Sequence, residues 1–260
     1  MITAELLLRK LERSRKARTM KILALDSSGL VASVALVQDG ILIGEYTINY
    51  KKTHSQTLLP MLDEVKKMVE LDLQEVDAIA VSAGPGSFTG LRIGSATAKG
   101  LGLALDKPLI SVPTLDALAY NLYGTDKLVC PLMDARRNQV YTGVYEFVSG
   151  SEYNMEMKPV AEQCAADIHE IIRTLNDFGR EVIFLGDGVP VYAQIIKEEM
   201  KVPFVFAPAH RNRQSAGALG ALAEVYYKEG KIQTAAEHQP DYLRLSQAER
   251  ERMEQEKANG

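Results

Sequence analysis

The stretch that most constrains this chain is an apolar run ending in glycine and proline, followed by a helix of small residues. Val76 to Ser82 is strand-like and leads into Gly84-Pro85-Gly86, after which Phe88 to Leu105 has helical periodicity. Within that helix Gly90, Gly94, Ala98 and Gly102 recur at i+4. A glycine costs a helix interior about 1 kcal/mol against alanine, so this face makes sense only where another backbone comes very close. Two partners fit: the chain's own sheet, or a helix of another subunit. The polar neighbours Arg92, Ser95 and Lys99 leave both open. The entry to the helix is equally two-sided. Gly84 to Gly90, with Ser87 or Thr89 as N-cap, can offer helix N–H groups to an anion, or can simply let strand and helix approach.

The surrounding pattern is α/β. Three β-like runs, 21–27, 31–37 and 41–48, follow one another, with Asp39-Gly40 as a hairpin turn. Leu58, Leu59, Leu62, Val65 and Val69 then give a helix over 55–70 an apolar stripe. After strand 109–112 and helix 114–123 the order begins again. Strands 129–133 and 139–147 flank the polar turn Asp134 to Asn138. Strand 156–161, helix 165–176, strand 181–185, helix 189–200, strand 202–206 and helix 213–229 complete it. The order predicts two related α/β lobes, 20–110 and 111–230, with a charged tail over 231–260.

Charge and cysteine usage narrow the class. Thirty basic residues against thirty-four acidic give −4, but residues 1–19 alone carry +4 and the remainder −8. A body of that sign is a poor clamp for a polyanion, which needs clustered Lys and Arg. The leader has no secretory h-region or cleavage site, and Met20 stands directly before the first strand, so residues 1–19 are expected to lie outside the native fold. Cys130 and Cys164 cannot build a disulfide framework or a zinc site, which fits a reducing cytoplasm. No apolar run reaches the roughly 18 residues that a membrane span requires.

The chemistry that is missing matters as much. From Gly84 a Walker A register meets Thr89 and Gly90 with no lysine, a dinucleotide fingerprint fails at Thr89, and Ser87 lacks the glycines of a nucleophile elbow. His54, His169, His210 and His238 stand singly. Three loops remain with two readings each. Asp26-Ser27-Ser28 at a strand end can hold a metal-bound water and phosphate, or close the hairpin as an Asx turn. Gly186-Asp187-Gly188 is ambiguous in the same way, and Asp134, Arg136 and Arg137 suit a ligand or a hairpin turn.

Three motifs together resemble one known family. Lys21 to Ser28, His54-Ser55-Gln56-Thr57-Leu58-Leu59-Pro60 and Gly84 to Gly94 are similar to the TsaB, or YeaZ, family, and Asp134-Ala135-Arg136-Arg137 with Val140-Tyr141 extends the likeness over about 20–245. The resemblance implies the two-lobed fold of actin, Hsp70 and the sugar kinases, with a degenerate second lobe. It also implies an accessory subunit of the bacterial machinery that makes N6-threonylcarbamoyladenosine at position 37 of tRNAs reading ANN codons. The catalytic subunit of that machinery is the paralogue TsaD, and TsaE is an ATPase that joins them. TsaB pairs with TsaD through the two first-lobe helices and forms homodimers when alone.

Carried onto this chain, the interface would use Leu58, Met61, Leu62, Gly90, Arg92, Gly94, Ser95 and Lys99. Asp26, Ser27, Ser28, Gly186 and Gly188 would be vestigial nucleotide or phosphate loops. No cofactor is expected in the chain itself, with ATP, ADP or Mg confined to partners or the complex interface, and tRNA reached through the complex. In TsaD an H-x3-H pair binds the catalytic metal; Thr114 and Leu118 occupy those places here, and Leu118 cannot ligate. The resemblance therefore implies a non-catalytic subunit. The rival expectation is a stand-alone nucleotide-binding protein or small kinase using Asp26 and Gly186 to Gly188.

Overall fold

A computed structural model of the chain describes residues 19–50, 53–136, 138–150 and 154–243. The leader 1–18, Arg137 and the tail beyond 243 lie outside the described residues. β1 (Lys21–Asp26), β2 (Ala32–Gln38) and β3 (Ile41–Ile48) form an antiparallel meander. β4 (Ala78–Gly84) and β5 (Leu109–Pro113) extend it in parallel, giving the order β3-β2-β1-β4-β5. The second sheet repeats this scheme. β6 (Leu128–Asp134), β7 (Gln139–Ser149) and β8 (Met155–Asp167) pair antiparallel, while β9 (Val182–Leu185) and β10 (Phe204–Phe206) join β6 in parallel.

The helices repeat too. α1 (His54–Met68), α2 (Phe88–Leu105) and α3 (Thr114–Tyr120) follow β3, β4 and β5. α4 (Ile168–Phe178), α5 (Val189–Glu199) and α6 (Ala216–Lys228) follow β8, β9 and β10. The fold is thus built from one sheet topology used twice, and the duplication suggested by element order lies in the strand pairing itself. The second copy is reduced at one edge, where β9 and β10 hold four and three residues.

Alternation in the central strands fixes which helices cover which face. Leu23 and Leu25 of β1 with Ile79 and Val81 of β4 meet Leu58, Met61, Leu62 and Val65 of α1 and Ala98 of α2. The opposite face carries Ala24, Ala35, Ala78 and Ala80, against which α6 sets Ala216, Leu219, Leu222 and Ala223. Alanines on both sides let helix and sheet come close, and a Cβ on Gly220 would stand 2.7 Å from Val37 Cγ2. Chain order groups α6 with the second lobe, but its packing belongs to the first. Residues 231–243 likewise leave the charged tail that composition suggests. Gln233 pairs with Leu109, and the segment runs past α2, where Lys99 Nζ donates to the His238 carbonyl at 2.9 Å.

α3 joins the lobes. Ala117 packs on the first sheet, and Leu115, Leu118 and Ala119 pack on the second. Between them Asp116 accepts hydrogen bonds from Tyr145 Oη at 2.8 Å, Gln163 Nε2 at 2.7 Å and Tyr226 Oη at 3.0 Å. One carboxylate therefore ties α3 to β7, β8 and α6. The helix expected over 165–176 begins at Ile168 instead. Residues 162–167 remain in β8 because Gln139 to Thr142 of β7 need a ladder partner, and Asp167 caps the helix by accepting from His169 N at 2.9 Å.

The question posed by the small-residue face is settled by contacts. A Cβ on Gly90 would lie 2.0 Å from the Ser27 carbonyl, and one on Gly94 2.6 Å from Ser27 Oγ. At Gly102 the neighbours are Lys107, Leu109 and Ala235. These positions face the chain's own first lobe. Gly100 differs: it is exposed, and a Cβ there would meet nothing within 4 Å. Gly100→Ala should therefore stabilise by about 0.5–1 kcal/mol and raise Tm by about 2–4 °C. Gly90→Ala should lower Tm, because a backbone carbonyl must move. Thermal unfolding of the two variants checks this, and an equal rise in both would show that the close approach is not binding.

Candidate functional site

The lobes enclose a cleft of about 620 Å³. Its first-lobe wall is the β1–β2 turn at Ser28 and Gly29, with His54 and Phe88; the second lobe contributes Met133, Tyr141 and Asp187. The turn begins at Asp26, which is fully buried. Asp26 Oδ1 accepts from Ser28 N at 2.9 Å, Ser28 Oγ at 2.7 Å and Ser82 Oγ at 3.1 Å. That is the Asx-turn geometry. Burial pushes the Asp26 carboxyl above its ordinary range, against the Ser28 and Ser82 hydrogen bonds that pull it down. Ser27 Oγ donates to the Gly90 carbonyl at 2.9 Å, and Ser87 N donates to the Ser28 carbonyl at 2.7 Å. The Ser28 N–H and hydroxyl are thus held within the turn, and the Ser27 hydroxyl and the Ser28 carbonyl join it to the start of α2.

The corner before α2 works in the same way. Ser87 is the N-cap, accepting from Gly90 N at 3.2 Å, and a Cβ on Gly86 would lie 2.3 Å from the Ser28 carbonyl. Residues 241 and 242 close over it: Asp241 N donates to the Ala83 carbonyl at 2.7 Å, and Tyr242 lies against Phe88 with ring centroids 4.7 Å apart. Arg92 stacks on the same Phe88 ring at 4.0 Å. Asp241 to Leu243 thus line the cleft. No sequence signal placed them there, since their position depends on the path of residues 231–240.

In the second lobe Gly186, at φ +109°, sits where a Cβ would be 2.1 Å from the Leu132 carbonyl, and Gly188 N donates to that carbonyl at 2.9 Å. Asp187 Oδ1 accepts from Asp134 N at 3.2 Å, and burial raises its carboxyl. Asp134 and Arg136 form the β6–β7 hairpin, with Arg136 N donating to Asp134 Oδ1 at 2.9 Å. Both loops are structural turns, drawn against their own strands. Asp26 Oδ2, His54 Nδ1 and the Gln214 amide are buried around Gly29 without a hydrogen-bond partner in the described chain. Among the described residues no three His, Cys, Asp or Glu side chains gather as for a metal ion. Two other histidines serve locally: His238 bonds Ser111 and Gln233, and His169 bonds Glu199.

The eight expected interface residues divide by burial. Leu58, Met61 and Leu62 are core residues under α1, and Gly90, Gly94 and Ser95 face the first lobe, so none of these six can present a surface. Lys99 is half-buried on the His238 carbonyl; Arg92 is exposed. The outward side of the pair is formed by Leu59, Asp63 and Met68 on α1 and Ala96, Gly100 and Leu103 on α2, with Met68 82% and Leu103 72% exposed. Helical phase is the signal that locates it: positions 96, 100 and 103 lie opposite the stripe 90, 94, 98 and 102.

Asp26 yields a pH test. Its folded pKa lies above its unfolded one, so the folded state holds the extra proton, and stability is lost as pH rises from the unfolded value through the folded one. Asp26→Asn keeps the Oδ1 acceptor and cannot ionise. Its Tm relative to the parent chain should therefore climb between about pH 4 and pH 7. A difference that stays flat, or falls, over that range contradicts the assignment.

The comparisons agree with one another. The family model of TsaD, tRNA N6-adenosine threonylcarbamoyltransferase, matches residues 42–252. The tRNA threonylcarbamoyladenosine biosynthesis protein TsaB of Bacillus subtilis is 33% identical over 245 residues, which are 92% of this chain and 100% of that protein. TsaB of Haemophilus influenzae is 33% identical over 87% of this chain and 94% of its own. Among solved structures, YeaZ from Pseudomonas aeruginosa superposes with a TM-score of 0.73 at 30% identity, over 86% of this chain and all of that one. Over both lobes, then, this chain belongs to the TsaB family of tRNA threonylcarbamoyladenosine biosynthesis proteins.

Proposed function

We propose that the chain is a non-catalytic subunit of the complex that forms N6-threonylcarbamoyladenosine in tRNA, and that it acts by pairing with TsaD. One observation carries this reading. Thr114 and Leu118, which stand where TsaD has its metal-binding histidines, are completely buried: Thr114 Oγ1 accepts from Gly84 N at 3.2 Å, and Leu118 lies in the core between α3 and the second sheet. A hydroxyl already accepting a hydrogen bond and a hydrocarbon leave no room for a metal ion or substrate. The hydrogen bonds that hold Asp26, Ser27 and Ser28 within the first lobe support the same role. TsaE joins the pair, and tRNA is reached through it.

The pairing surface follows from what is left unpacked. Gly100 carries the helix cost of a glycine with no neighbour of its own to accommodate, and a second helix laid along α2 supplies that neighbour. Leu103, Ala96, Leu59 and Met68 border it with apolar atoms. A carboxylate buried there unpaired costs several kcal/mol. Leu103→Glu should therefore weaken co-purification with TsaD at least about a hundredfold, close to 2.8 kcal/mol, while leaving Tm nearly unchanged. Threonylcarbamoyladenosine in tRNA should fall in parallel when the variant is the only copy in a cell. Leu62→Glu, by contrast, should unfold the first lobe. Undiminished TsaD binding by folded Leu103→Glu would remove the helix pair as the contact surface.

A further inference from the structure

Residues 231–243 form a strap over the first lobe. At the β5 edge Gln233 N donates to the Leu109 carbonyl at 2.9 Å, and Leu109 N donates to the Gln233 carbonyl at 2.8 Å. Ala235 is buried in the core under α1 and α2 and stands against Gly102. The strap then passes α2 and reaches the cleft, with Asp241 N on the Ala83 carbonyl and Tyr242 on Phe88. It belongs to no helix or strand, so a few main-chain bonds and its side chains hold it in place. Segments of that kind open at the lowest free energy in a fold.

His238 sits at the middle of the strap, and no part of it is reached by solvent. Gln233 Nε2 lies 2.8 Å from His238 Nδ1. An amide nitrogen only donates, so Nδ1 is the acceptor and the ring proton is on Nε2. Ser111 Oγ of β5 lies 2.7 Å from the same Nδ1. The ring therefore pins the strap to β5 through the one atom that a second proton would take. Nε2 is buried without a partner in the described chain.

The surroundings of the ring disfavour its charged form. From α2 comes Lys99, whose Nζ donates to the His238 carbonyl at 2.9 Å. β5 presents the neutral Ser111. On the strap itself the acid next in sequence, Glu237, turns back to Thr234 N and Oγ1, and Asp241 lies at the cleft. Burial first, and the Lys99 charge second, hold the His238 pKa below its ordinary value. The neutral ring stabilises the closed strap fully above the unfolded pKa, and that stabilisation is lost as pH falls through the folded one.

We propose that His238 is a proton-operated latch: when its ring takes a second proton, residues 233–242 lift from β5, α2 and the cleft corner while both sheets stay folded. Opening frees the β5 edge and withdraws Asp241 and Tyr242 from the cleft wall. The latch uses neither Gly100 nor Leu103, so it stands apart from the pairing reading. Hydrogen exchange of the full chain, corrected for the intrinsic pH dependence of amide exchange, tests it. Protection at the Leu109, Gln233 and Asp241 amides should fall at least fivefold between about pH 7.5 and pH 5, against a ceiling of about tenfold per pH unit for one proton. Protection at Leu23 and Val81 in the sheet should hold. His238→Gln cannot take up a proton, and its strap protection should be flat over the same range. In the parent chain the His238 ring resonances should titrate in step with the strap amides. Unchanged strap protection in the parent, a ring that titrates while the strap stays closed, the same loss in His238→Gln, or an equal loss at Leu23 and Val81 would each overturn the latch.

Discussion

Much of the first lobe depends on one close approach, that of the start of α2 to the Ser27–Ser28 turn. Main-chain and hydroxyl groups on the two segments satisfy one another at a distance that excludes a side chain at Gly86, Gly90 and Gly94. A buried polar turn is tolerated only when each donor finds an acceptor, and most of these are supplied within the turn or by the helix. The same contacts draw α2 tightly over β1 and β4, which turns its other side, with Gly100 and Leu103, toward solvent. Closing the Ser27–Ser28 turn and turning Gly100 and Leu103 outward are thus two results of a single packing arrangement.

Much of the architecture was legible in the residues. Alternation in β1 and β4, the Asp39-Gly40 turn and the strand-helix order located the elements, and the second sheet repeats the first as that order implies. The motifs that carried the family resemblance lie at the cleft. What periodicity could not do was assign the two sides of a helix. The strong stripe Leu58, Leu62 and Val65 marks a core, because hydropathy reports burial whatever covers it. The outward side of α2 is made of Ala96, Gly100 and Leu103, of which only Leu103 has a strong hydropathic signature. Local propensity also misplaced residues 165–167, which the ladder with β7 holds in β8.

Between the lobes the contacts are fixed rather than sliding. Asp116 satisfies three donors from three different elements, and α3 divides its apolar side chains between both sheets. In a low-dielectric interior such a network is costly to break in part. Burial raises the Asp116 carboxyl, and the phenol of Tyr226 is pushed beyond its ordinary range by the same cause.

The position of α6 bears on how the protein is made. The alanine-lined face of the first sheet is complete after residue 113, yet the helix that covers it is residues 216–228. A chain emerging from the ribosome therefore carries that bare face throughout synthesis of the second lobe. The first lobe cannot mature ahead of the second, as it could if the two were independent domains. Folding of the first lobe is then gated by the arrival of α6, and a nascent product cut short before that helix is an exposed apolar sheet rather than a usable half.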